Sequence, residues 1–364
     1  MVTPIENLNL KDFKISVILN DTENLDISDE VYFSAEYSDY ISNSRLGLID
    51  PKRKGSYKNF LEGFKTSTLE AFELGSGVHA LILEPDKYFL SDYTKPSGKV
   101  GKIVELVYKY RNDGYALNKA LKKAVEETNY YYGILTPKKQ KKLLEEGLDY
   151  YMFLLHRTKT DKNEIILSSS MRNTCLNCYS SVATNKVAQK LMFTGDYRCE
   201  DTIVTAIKVS FKDEEDKQVE LVLKLKIKID NWVFDNFTDK IILNDLKTTG
   251  HSTKYFPGCK VLETGEIIEG SFQKFRYDLQ LAFYRWVLTQ WLLAKYPNRS
   301  FIFDTNIICV STIPNYESTV YKVPQNMLDE SFEYVKKLLM YAAYAIYKKE
   351  EICPQQNCTM STNI

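Results

Sequence analysis

Two aspartates and a lysine stand within eighteen residues of one another, at Asp230, Asp245 and Lys247, in the stretch LKIKIDNWVFDNFTDKIILNDLKTT. Carboxylate oxygens suit a hard cation such as Mg²⁺, which prefers oxygen donors and water. A bound divalent metal ionises its water more readily and polarises a phosphoryl oxygen. A lysine beside it orients the attacking water or neutralises developing negative charge. The three side chains together therefore suit metal-assisted phosphodiester hydrolysis.

The flanking residues explain how such a group is positioned. An apolar run delivers Asp230, a turn rich in Asn and Asp follows, and a second apolar run carries Asp245-Leu246-Lys247. In a strand, residues i and i+2 point to the same face. Asp245 and Lys247 thus project together, and pairing of the two strands brings Asp230 beside them. Further strands are predicted over 202–211 and in FIFDTNIICVST, with 219–230 and 240–247 as the hairpin. A capping box at Ser67-Thr-Leu-Glu70 starts a helix through AFELGSGVHALIL, which Pro85 ends. Gly75 and Gly77 inside it predict a close approach by another backbone or a substrate. Helical periodicity continues in ALNKALKKAVEE, KKQKKLLEEGLDYYMFLLH and SSVATNKVAQKLMF. A long helix is predicted over roughly 272–295, and a final amphipathic one over DESFEYVKKLLMYAAYAIYKKE.

Bulk properties set limits. The chain has 364 residues, 44% hydrophobic and 26% charged, with a formal net charge of zero. A globular core is expected, and a uniformly basic nucleic-acid coat is not. No apolar run reaches the roughly 18 residues that span a bilayer, and MVTPIENLNLKDFK does not read as a signal peptide. A soluble, cytoplasmic protein is expected. Seven cysteines, an odd number, argue for reduced thiols over a disulfide framework, including the Cys175/Cys178 and Cys353/Cys358 pairs.

Four segments in order resemble the PD-(D/E)XK nuclease superfamily, and within it the RecB-like branch typified by prophage exodeoxyribonuclease VIII (RecE). They are ISNSRL near the N-terminus, GSGVHALILEP with His79, KIKID followed by LNDLKTT, and RYDLQLAFY with Gln280 and Tyr284. The resemblance runs from about residue 37 to 311. It implies an α/β fold with a mixed central sheet flanked by helices, in α-β-β-β-α-β order. One domain over residues 1–364 is expected, with a helical insertion over 98–195.

The resemblance also implies roles. Asp230 and Asp245 are the metal ligands, with the Leu246 carbonyl and His79. Lys247 acts on water or the transition state. Gln280 and Tyr284, i and i+4 on one helix face, position the DNA end or the lysine. Arg276 and Tyr277 are candidates for DNA contact. The branch often carries an acidic residue on the preceding strand; Glu200 or Glu220 is available for it here, and Lys228 stands where the branch has arginine. The implied activity is Mg²⁺-dependent (Mn²⁺ substituting) 5′→3′ hydrolysis of linear double-stranded DNA from its ends, in phage or prophage recombination. The implied partners are a single-strand annealing protein and further copies in a ring, in the cytoplasm of a bacterial host. An endonuclease on the same core, and an inactive DNA-end-binding protein, are the alternatives.

Overall fold

Sequence alternation sets the strands that matter most. In Gln218–Asp235 the residues Leu223, Leu225, Ile227 and Ile229 are buried, while Lys224, Lys226, Lys228 and Asp230 occupy the alternate positions. The computed structural model describes residues 10–63, 70–156, 164–260 and 267–352. The predicted capping box at Ser67 and the Cys353/Cys358 pair lie outside them. The chain divides into two compact units, residues 1–67 with 182–364, and residues 68–181.

Ten strands are named in chain order: β1 (Lys11–Leu25), β2 (Phe89–Tyr93), β3 (Glu164–Ser168), β4 (Asp196–Lys212), β5 (Gln218–Asp235), β6 (Lys240–Thr249), β7 (Cys259–Lys260), β8 (Ile267–Ile268), β9 (Ile302–Ser311) and β10 (Ser318–Val323). The first unit is built on a six-stranded sheet in the order β1-β4-β5-β6-β9-β10. Neighbours are antiparallel except β6 and β9, which are parallel. The helix Tyr277–Lys295 makes the connection between those two in sequence, as a parallel pair requires. The fold class is thus mixed α/β with a central mixed sheet flanked by helices. β1 and β10 form the two edges of this sheet and are largely half-buried or exposed.

The helix predicted over 272–295 is broken. Ser271–Lys274 forms one turn, and Arg276 then adopts a left-handed φ of 52° before the helix Tyr277–Lys295 begins. The Arg276 guanidinium grips Asp278 with two hydrogen bonds of 3.1 Å, which holds the break. Leu279, Leu281, Phe283, Val287, Leu288 and Leu292 bury the helix's apolar face.

The second unit contains the helices Glu70–Leu83, Lys99–Asn112, Leu117–Glu127 and Pro137–His156, most of the helix Ser169–Thr184, and the parallel pair β2–β3. Ile103, Val107, Ala120, Leu121, Val125 and Leu143 form one of its cores. Gly77 accounts for a close helix approach: a Cβ there would lie 2.9 Å from Cys175 Sγ and from a Leu167 methyl. The helical stretch expected over 98–195 therefore spans both units, since Lys186–Met192 packs on the first unit's sheet. Burial pushes the Cys175 thiol up to about 12 and the Cys178 thiol up to about 11, so neither thiolate forms readily. No described helix is long and apolar enough to cross a membrane.

Candidate active site

The site forms where β5 and β6 part. Their pairing runs from Asp235↔Lys240 to Asn231↔Asn244 and ends there. Asp230 and Asp245 are the next residue on each strand. With the ladder finished, the Asp230 side chain takes the place of a backbone partner: its Oδ2 accepts the Leu246 N–H at 2.7 Å. That bond draws Asp230 across the fork towards β6.

Lys247 follows Asp245 by two residues and shares its face. Its ammonium is 2.7 Å from Asp245 Oδ2 and 3.8 Å from Asp230 Oδ2. Burial on its own pulls the Lys247 pKa down, but the neighbouring Asp245 and Asp230 carboxylates outweigh it, and the net shift is upward. Lys247 is therefore an ammonium and suits charge stabilisation, not proton abstraction. Its Nζ also sits 5.1 Å from the centre of the Tyr277 ring, and 3.4 Å from the Leu246 carbonyl oxygen, to which it donates.

The helix Tyr277–Lys295 covers this face. Gln280 donates its amide to Asp245 Oδ1 at 2.9 Å. Tyr284, one turn on, hydrogen-bonds Gln280, and burial pushes its hydroxyl well above the ordinary value. The relay Tyr284–Gln280–Asp245 fixes the carboxylate's orientation, as the i, i+4 spacing predicts. Tyr277 stacks on Phe256 at 5.8 Å between centroids and walls the lysine. Arg276 is committed to Asp278 and lies 5.3 Å from the Tyr334 ring.

The third carboxylate is Glu200. Register pairs Cys199 with Asn231 and Asp201 with Ile229, which sets Glu200 opposite Asp230. Carboxylate oxygens of the two lie within 4.8 Å. Glu200 has a φ of 51°, a left-handed conformation that costs a non-glycine residue about 1–2 kcal/mol. Lys228 holds it through a 2.7 Å ion pair and also pairs with Asp29. Glu220 lies elsewhere, exposed and paired with Lys208 at 2.7 Å. The signal that selects Glu200 is cross-strand register, which needs the strand pairing to be known.

Three carboxylates, Glu200, Asp230 and Asp245, thus face two ammoniums, Lys228 and Lys247, with Lys228 shared with Asp29. The excess is negative, and all the anionic donors are oxygens. That donor set fits a hard divalent cation. His79 lies half-buried on the helix Glu70–Leu83 of the second unit.

No protein-family model matches the chain, and no curated protein does. Among solved structures, the chain is similar to that of a candidate exonuclease from Eubacterium rectale. The identity is 12% and the TM-score 0.45, over 93% of this chain and 94% of that one.

Proposed function

We propose that the chain is a Mg²⁺-dependent deoxyribonuclease of the PD-(D/E)XK type that hydrolyses linear double-stranded DNA from an end. The observation that carries this reading is the Lys247 ammonium held against both Asp230 and Asp245 at the fork of β5 and β6. The order β4, β5, β6, helix Tyr277–Lys295, β9 supports the same reading. So does the acidic position that Glu200 supplies on the strand before the hairpin.

Asp230, Asp245, Glu200 and the Leu246 carbonyl would hold the metal. Bound there, Mg²⁺ supplies a more acidic water and a Lewis acid at the phosphoryl oxygen. Lys247 stabilises charge on the phosphorane-like transition state. Gln280, backed by Tyr284, keeps the Asp245 carboxylate turned to one geometry. Tyr277 shields the lysine and excludes water from one side. Under the family resemblance, His79 assists cleavage, polarity is 5′→3′, and the setting is prophage recombination. The same resemblance brings Mn²⁺ substitution, a ring of copies and an annealing-protein partner.

The test is digestion of end-labelled linear duplex beside a covalently closed circle, with Mg²⁺ and with EDTA. The expected result is loss of the linear duplex from its ends, an intact circle, and no cleavage in EDTA. Cleavage of the circle would establish the endonuclease instead. Binding of ends without cleavage would establish the inactive binder. In the same assay His79→Ala should slow digestion at an unchanged melting temperature; a drop of several degrees with full activity would make His79 a packing residue.

A further inference from the structure

On the sheet face opposite the carboxylates runs a chain of three buried asparagines. Asn231, Asn244 and Asn306 occupy β5, β6 and β9 at 0%, 1% and 3% exposure. Asn244 and Asn231 are direct cross-strand partners, and Asn306 is paired with Asn244 on the other side. Asn244 Nδ2 donates to Asn231 Oδ1 at 2.7 Å. Asn306 Nδ2 donates to Asn244 Oδ1 at 3.2 Å. One end and the middle of the chain are tied into the helix Lys186–Met192. Asn231 Nδ2 donates to the Met192 carbonyl at 3.0 Å, and Asn244 Nδ2 to the Leu191 carbonyl at 2.9 Å.

The place of this chain is informative. Asn231 directly follows Asp230 and Asn244 directly precedes Asp245. They are the last paired residues before the strands part. Burying polar side chains in a sheet centre is unfavourable unless every donor and acceptor finds a partner. Apolar residues of similar shape would serve the core as well or better. Burial of a sheet face already specifies the register of these strands, but beyond the last rung at Asn231 and Asn244 no backbone bond between β5 and β6 fixes their separation. Directional side-chain bonds across the last rung remove that freedom.

We infer that Asn231, Asn244 and Asn306 are positioning residues that fix where β5 and β6 part, and so set the separation of the Asp230 and Asp245 carboxylates for a divalent cation. The inference rests on the metal-site reading above. Asn306 touches the site only through Asn244, so it transmits a graded version of the same effect.

The experiment titrates Mn²⁺ into the full chain and follows free Mn²⁺ by electron paramagnetic resonance, with melting temperature in parallel. Asn244→Leu should weaken Mn²⁺ binding about 10- to 100-fold, the range found for groups that orient metal ligands. Asn306→Leu, the milder change, should weaken it by a smaller factor and covers the case in which Asn244→Leu does not fold. Val310→Ala, on β9 and the same face as Asn306, is the packing control. It should lower the melting temperature and leave Mn²⁺ affinity as in the wild type. Wild-type affinity in both asparagine variants, or an equal loss in Val310→Ala, overturns the positioning role while leaving the metal site standing. Absence of Mn²⁺ binding by the wild-type chain overturns the metal reading and this inference together.

Discussion

Asp245→Asn should leave a folded protein that binds DNA and cleaves none of it. Asp245 is 1% exposed. One oxygen takes the Gln280 amide and the other the Lys247 ammonium. The amide of asparagine keeps the shape but removes the charge, and with it the strongest attraction for a divalent cation. Asp230→Asn should behave alike, because Asp230 is the other carboxylate proposed to hold the cation and also accepts the Leu246 N–H. DNA affinity should change little, since most contacts to a duplex go to the phosphate backbone. Asp245→Ala should also stop cleavage; like Asp245→Asn it leaves Lys247 without its nearest counter-charge, and it also removes the acceptor of the Gln280 amide. Breaking a buried pair costs about 3–5 kcal/mol, so a fall in melting temperature should accompany either change and be the larger for Ala. Gel assays of digestion and binding beside thermal melts separate the two effects. Wild-type cleavage by the Asp245→Asn variant would remove Asp245 from the site.

Lys247→Ala has the second largest expected effect, and it is of another kind. The ammonium lies beside the carboxylates but donates no lone pair to a cation. Removing one preorganised group that stabilises developing charge typically costs a factor of about 10²–10³ in rate. Removing a competing positive charge should also leave Mg²⁺ affinity equal to or tighter than the wild type's. Single-turnover cleavage at saturating Mg²⁺ measures the first effect, and calorimetric titration the second. Loss of Mg²⁺ binding in Lys247→Ala, with binding retained in Asp245→Ala, would reverse the roles given to Lys247 and Asp245.

The parts of this site that were legible in the sequence are those governed by local periodicity. Asp245 and Lys247 share a face because a strand alternates. Gln280 and Tyr284 share one because a helix repeats every 3.6 residues. The hairpin itself was legible because LKIKID and KIILND are apolar runs separated by Asn and Asp. What escaped depends on pairing between distant segments. Glu200 and Glu220 have equal standing in sequence, and only the β4–β5 register separates the one beside Asp230 from the one paired with Lys208. Asn244 and Asn306 lie in runs predicted as strands and Asn231 directly follows one, but none is expected to be buried there, because asparagine's usual place is in turns. Their burial follows from mutual hydrogen bonding across three strands, which no local window contains. The break at Arg276 was hidden for a related reason. SFQKFRYDLQLAFY carries no proline or glycine, and the left-handed residue is held by its own ion pair with Asp278. The second unit carries no motif besides the His79 helix, so its helices were readable and its purpose was not.

The central claim is that the fork between β5 and β6 is a metal site. An anomalous difference map from crystals grown with Mn²⁺ tests it most directly. The account predicts a peak at coordination distance, roughly 2.0–2.2 Å, from carboxylate oxygens of Asp230 and Asp245, with the Leu246 carbonyl among its neighbours and Lys247 Nζ outside the coordination shell. A map with no peak at the fork, in crystals whose Asp230, Asp245 and Lys247 keep the arrangement described above, would contradict it.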